Sequence, residues 1–251
     1  LSGRAQSTPS YKDASVADER RLDDLLSRMT LEEKVAQTLA DRQEKRQLAD
    51  AGGNFDPAKA APILRHGIGQ ITRVSDGVER GGKRRGPREA AELVNAIQRW
   101  VMTNTRLAIP VMFHEEALHG LAAAKGTNFP VPIALASSWD PSLVERVMTI
   151  AAREARARGA QQVLSPVLDL ARDPRWGRTE ETYGEDPHLV AEIGLAAQIA
   201  AVLLPPLRIF RQPAVQFDVF RLAGDPVFEK SPVAQERLVG DVEGRVGRQR
   251  R

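Results

Sequence analysis

IPVMFHEEALHG, residues 109–120, sets an apolar run directly before two histidines and two glutamates. Whether the polar half lies on a helix or leaves the end of a strand decides both fold and chemistry. A zinc-protease helix places histidines at i and i+4, about 40° apart around the axis, whereas His114 and His119 lie five apart, about 140° from one another. They cannot share a helical face. The chain has no cysteine, and His66 and His188 are its other imidazoles, so the ligand chemistry for zinc is missing and no metal is expected. IPVMF is therefore read as a strand. Glu115 and Glu116 follow it on alternating sides, so at most one points into the mouth that the strand borders. A carboxylate there accepts two hydrogen bonds from vicinal hydroxyls, as sugar recognition requires. The same glutamate serves equally as a cap or an ion-pair partner, and spacing alone leaves the readings even.

Working outward, short apolar runs alternate with amphipathic stretches. GIGQITRV (67–74) reads as a strand, followed by a helix that Pro87 opens and that carries Ala91, Val94, Ile97 and Val101 on one face. VPIALA (131–136) is a third strand candidate and QQVLSPVLDL (161–170) a fourth. Asp140–Pro141 caps and starts a helix through Leu143, Val147 and Ile150; Asp186–Pro187 does so for Leu189, Ile193 and Ala197. Upstream, Val16, Leu22, Leu25 and Leu26 recur at helical spacing, and TLEE (30–33) supplies a capping box for a second helix through Val35 and Leu39. This arm is expected to pack rather than to react. Strand and helix in alternation predict parallel β with right-handed crossovers. A doubly wound sheet and a (β/α)8 barrel both satisfy the pattern, but the glycine fingerprints of nucleotide-binding sheets are absent. In either, chemistry gathers at the strand ends, which places HEEALHG and the loop after LSPV on one rim.

The composition agrees with a globular domain: 251 residues, 42% of them hydrophobic. No apolar run reaches the roughly 20 residues of a membrane span. LSGRAQSTPS carries no basic segment followed by an apolar core, so a signal peptide is expected to be absent or already removed. The net charge of +3 arises in residues 203–251, where nine basic residues face six acidic ones; residues 1–202 balance at 27 of each. A balanced body argues against a nucleic-acid surface. The internal basic run ERGGKRRGPRE (79–89) is expected to be a solvated loop.

A second dense stretch, ARDPRWGRTEETYGEDP (171–187), joins a strand to a helix where a few ordinary residues suffice, and long polar loops of this kind carry function. Glu180, Glu181 and Glu185 read as a salt-bridge lattice that shapes the loop. Arg178, behind a glycine that frees the backbone, and Trp176, able to stack on a pyranose face, are better ligand candidates.

Taken together, YKDASVADERRLDDLLSRMTLEEKVAQ, HGIGQI, IPVMFHEEALHG, FPVPIALASSWDP and LSPVLDLARDPRWGRTEETYGEDPHLVAEIGLAA resemble the N-terminal part of glycoside hydrolase family 3, in its β-glucosidase and β-xylosidase branch, over about residues 11–197. The resemblance implies retaining exo-acting β-glycosidases without a cofactor, built from a barrel-like first domain and an α/β-sandwich second domain. It implies that Glu116, before A-x-H-G, binds a hydroxyl of the terminal sugar, and that Arg178 of W-G-R holds the same ring. Asp173, Trp176 and Glu115 are neighbouring motif members with less defined roles.

The chain also departs from that pattern. After LAA the family continues with a sugar-binding Lys-His pair and, on a later strand, the nucleophilic aspartate in an S-D-W or S-D-Y setting; neither occurs here. From about Gln198 the sequence turns Arg- and Pro-rich, as a shifted reading frame with premature termination would produce. No catalytic residue is identifiable, since Asp218 and Asp225 do not match the nucleophile's setting. The expected architecture is thus a partial (β/α)8 TIM-barrel-like α/β domain: an N-terminal helical arm over 1–62, an incomplete barrel over 63–202 and an irregular tail over 203–251. Its open edges predict poor solubility or a partner-dependent fold. The expected ligand is a β-glycoside or oligosaccharide, not nucleic acid or membrane, and the expected compartment is periplasmic or secreted rather than cytoplasmic. The competing function is a non-catalytic carbohydrate-binding fragment or an interaction protein.

Overall fold

The computed structural model describes residues 9–41, 47–75 and 84–202, with the side chains of 199–202 excepted. The Arg/Pro-rich tail, with Asp218 and Asp225, lies outside the described residues.

At the centre is a parallel sheet of four short strands, β1 (Ala40–Asp41), β2 (Gln70–Thr72), β3 (Met112–Glu115) and β4 (Gln162–Val163), in the order β1-β2-β3-β4. Gln70 aligns with Met112, Ile71 with Phe113 and Thr72 with His114; His114 in turn aligns with Gln162. Strictly sequential order, with no reversal of direction across the sheet, is the winding of a barrel and not of a doubly wound sheet. The described residues therefore form a partial (β/α) barrel.

Helices α1 (Asp18–Arg28) and α2 (Leu31–Gln37) make the N-terminal arm. Thr30 accepts from the Glu33 N–H while the Glu33 carboxylate accepts from the Thr30 N–H, the reciprocal cap read from TLEE. The apolar stripe of the arm is less buried than its spacing predicts: Leu25 is buried, but Leu22, Leu26, Val35 and Leu39 are exposed. β1 follows directly, so the sheet begins inside the segment expected to be helical.

Helix α3 (Pro57–Leu64) connects β1 to β2, and α4 (Pro87–Asn104) connects β2 to β3. Val94, Ile97 and Val101 of α4 pack with Leu48, Leu64, Ile71, Val111 and Phe113 into the main core. Between β3 and β4 lie α5 (Pro132–Ala136) and α6 (Pro141–Ala157), and α7 (Pro187–Val202) follows β4. Leu135, Val144, Val147, Val190 and Ile193 make a second core among these helices, with Tyr183 inserted from the preceding loop. Asp140 and Asp186 accept from the Leu143 and Leu189 N–H groups, so both Asp-Pro starts form as read.

Four strand readings differ from expectation, the first being GIGQITRV, which is strand only over Gln70–Thr72. VPIALA is helical, because Pro132 takes the first helical position, where its missing N–H costs nothing, and the short turn buries Leu135 and Ala136. QQVLSPVLDL pairs over Gln162–Val163 and not over its whole length. The Leu164 N–H makes one more bond, to the Glu115 carbonyl, and Pro166 then offers no donor; Leu164, Leu168 and Leu170 are left exposed. The strand read from IPVMF starts at Met112 rather than Ile109 and runs through Glu115, so it takes in His114 and Glu115 of HEEALHG. Of the basic run at 79–89, Arg85 is half-buried and donates to the Val74 and Gly53 carbonyls instead of lying in solvent.

Candidate functional site

The C-terminal ends of β2 and β3 carry the central groups. His114 is buried in the middle of the sheet, while His119 lies beyond β3 in a non-helical turn, where its Nδ1 sits 3.1 Å from the Phe129 carbonyl and so must carry the proton. Among the described residues no group of three or more His, Asp or Glu is placed to hold a metal ion.

Glu115 and Glu116 separate as strand alternation requires. Glu115 is 1% exposed and accepts from the Ser75 N–H at 3.0 Å, which ties the loop after β2 to the end of β3. Arg158, itself buried, supports it with opposite charge while donating to the Ala124 and Glu154 carbonyls. Burial pulls the Arg158 guanidinium below its ordinary pKa, and the charges of Glu154 and Glu115 counter that pull. This placement leaves Glu115 no route to solvent.

Glu116 leaves the strand on the other side, with its side chain 25% exposed, and accepts from the Arg73 guanidinium at 2.8 Å. Its carbonyl accepts from the Ala122 N–H, and Phe129 donates to the His119 carbonyl, so the turn that follows is pinned at both ends. Gly120 makes that turn close. It has φ +103°, and a Cβ there would stand 1.9 Å from the Thr127 carbonyl oxygen.

The loop of residues 171–186 is built differently. Its ends meet through the Ala171 N–H and the Gly184 carbonyl, and Thr182 and Tyr183 anchor it in the core. Burial raises the Tyr183 hydroxyl to about 12. Within the loop, Asp173 pairs with Arg175, whose hydrogen bonds hold the carboxyl below its usual range. Arg178 pairs with Glu181. Its pKa is raised first by that hydrogen bond and by the Glu181 charge, and then by the charges of Asp169 and Glu116. Arg178 and Glu116 thus lie within electrostatic reach of each other, one from the loop after β4 and one from the end of β3. Trp176 is half-buried and lies between Asp173 and Arg178 in the sequence. Gly177 meets nothing within 4 Å of a built Cβ and lies outside the left-handed region, so a free backbone is not what places Arg178.

Of the three loop carboxylates expected to form a lattice, Glu181 pairs, with Arg178, while Glu180 and Glu185 have no ion pair among the described residues. The reading from sequence missed Arg73 and Asp169. Arg73 was visible in QITRV as a polar residue just past the end of β2, whereas Asp169 stands six residues beyond β4, where no strand end marks it.

Sequential parallel strands with acidic and basic groups at their C-terminal ends define a partial (β/α) barrel with a polar rim. The chain is a member of glycosyl hydrolase family 3: the sequence pattern of the "Glycosyl hydrolase family 3 N terminal domain" matches residues 30–201. It is 32% identical over 194 residues to a periplasmic β-glucosidase/β-xylosidase of Dickeya chrysanthemi, covering 73% of this chain and 28% of that protein. A solved β-glucosidase from Erythrobacter marinus superposes with a TM-score of 0.64 at 36% identity, covering 78% of this chain and 24% of that one. A β-glucosidase from Listeria innocua in complex with glucose gives a TM-score of 0.54 at 30% identity, over 73% and 24% of the two chains. The chain spans between 23% and 31% of the length of the first curated relatives it matches. No helix among the described residues is long and apolar enough to cross a membrane.

Proposed function

We propose that this chain supplies the sugar-gripping rim of a retaining exo-β-glycosidase acting on terminal β-glucosyl or β-xylosyl units, and that the 251 residues alone bind a β-glycoside without hydrolysing it. The observation that carries the reading is that Glu116, just past the end of β3, and Arg178, in the loop after β4, feel one another's charge although they come from separate βα units. A partly exposed carboxylate and a guanidinium within reach of its charge offer acceptors and donors to adjacent ring hydroxyls. Trp176 offers a face on which the apolar side of a pyranose stacks. Asp173, paired with Arg175, shapes the loop and has a secondary role at the ring. Glu115, buried against Ser75, supports the site from behind instead of touching sugar. Periplasmic relatives such as that of Dickeya chrysanthemi support an extracytoplasmic compartment for this chain as well.

Hydrolysis with retention needs two carboxyl groups about 5–5.5 Å apart on either side of the anomeric carbon. Neither the S-D-W nor the Lys-His setting occurs in the sequence, so no residue here is assigned to attack or to protonation. An assay of the purified chain on an aryl β-glucoside and an aryl β-xyloside tests both halves of the proposal. The expected outcome is quenching of tryptophan fluorescence by the glycoside with no release of the aryl group. Release that Asp218→Ala or Asp225→Ala abolishes would overturn the non-hydrolytic reading; no binding at all would overturn the sugar-gripping one.

A further inference from the structure

We propose that Arg73 is a positioning residue for Glu116, holding that carboxylate aimed over the rim so that it meets a sugar hydroxyl; the inference rests on the reading of Glu116 given above. Three features of Arg73 point this way. Its backbone sits at φ +52°, in the left-handed region that a side chain beyond Cβ makes costly and that glycine would occupy freely. A strained conformation kept by a large residue indicates that the side chain, not the turn, is what the position requires. That side chain then reaches from the end of β2 to the end of β3, where its guanidinium donates to Glu116 at 2.8 Å across 43 residues of sequence.

The surroundings fix the arrangement from both sides. The Arg73 N–H donates to the His114 carbonyl at 2.7 Å, extending the β2–β3 ladder by one bond, and two residues later Ser75 is held by Glu115. Glu116 is fixed in turn by the Ala122 N–H on its carbonyl. Both partners of the pair keep access to solvent, with side chains 29% and 25% exposed, so the carboxylate is restrained yet still reachable. A guanidinium on one flank leaves the carboxylate's remaining lone pairs for a hydroxyl donor.

The test is a double-variant cycle read in affinity, using the full chain and methyl β-D-glucopyranoside and methyl β-D-xylopyranoside as probes in ligand-observed NMR titrations. Arg73→Gly and Glu116→Gln are each expected to weaken binding by about tenfold, and the double variant by no more than either alone, since Arg73 acts only through Glu116. Arg73→Lys is expected to restore part of the affinity. The thermal midpoint of Arg73→Gly is expected to hold or to rise, because glycine relieves the left-handed strain. Losses that multiply in the double variant, or an Arg73→Gly protein with wild-type affinity, would overturn the positioning role while leaving the sugar site standing. A lowered midpoint together with an equal loss in the Glu116→Gln background would mark Arg73 as structural only. Absence of binding by the unaltered chain overturns this inference along with the site it serves.

Discussion

The strand ends and the loop of residues 171–186 carry the same chemistry, arginines beside carboxylates, yet hold it in opposite ways. At the strand ends, Arg73 and Glu116 come together across 43 residues, each fastened by backbone bonds on either side. In the loop, Arg175 meets Asp173 two residues away and Arg178 meets Glu181 three residues away, mostly in solvent. A pair that closes over a long sequence separation records how the fold brings elements together. One that closes over two or three residues forms wherever the local backbone allows, and is worth about 0–1 kcal/mol when exposed. The strand ends are therefore the preorganised half of the candidate site; the loop contributes groups whose present partners exchange at little cost.

That contrast can be broken in several places. The greatest effect is expected at Phe113, fully buried in β3 between the sheet and α4. Phe113→Ala is expected to cost about 3–5 kcal/mol in urea unfolding, removing the platform on which Glu116 stands. A loss below about 1 kcal/mol would show that β3 does not anchor the rim.

A smaller effect is expected at the other long-range pair, Glu33 with Arg106, which joins the arm to the segment after α4 across 73 residues. The hydrogen bond from Arg106 holds the Glu33 carboxyl below its ordinary 4.5. A carboxyl with a depressed folded pKa stabilises the fold above its unfolded value and loses that contribution as pH falls through the folded one. Glu33→Gln is accordingly expected to cost about 1 kcal/mol at neutral pH, with the gap to wild type narrowing below about pH 4.5. A gap that stays constant from pH 7 to pH 3 would contradict it. Least affected is Arg175→Ala, expected to shift stability by less than about 0.5 kcal/mol; a larger loss would place the loop's local pairs on a par with the strand ends.

Much of this contrast was legible from residue order alone. The Asp-Pro starts at 140 and 186, the TLEE cap and the apolar face of α4 each encode their element locally, and each formed. The same grammar stands at Asp56–Pro57, where Asp56 caps α3, but Pro62 inside that helix obscured the periodicity. β1 was beyond reach, since two residues carry no period and the strand exists through its pairing with β2. VPIALA failed because a short apolar run fits strand and helix equally, and only Pro132 distinguishes them. At the rim, the alternation that sends Glu115 inward and Glu116 outward follows from strand geometry. Which of the two faced the mouth did not, because it depends on the register with β2 and on Ser75 and Arg73 across it.

In the proposed site, two separate βα units present one pyranose grip. It is tested most directly by mapping amide chemical shifts of the isotope-labelled chain during titration with methyl β-D-glucopyranoside. The amides around Glu116 and those of Trp176 to Thr179 are expected to move together along a single saturating curve. Shifts confined to one of those segments, or gathered elsewhere on the barrel, would contradict it.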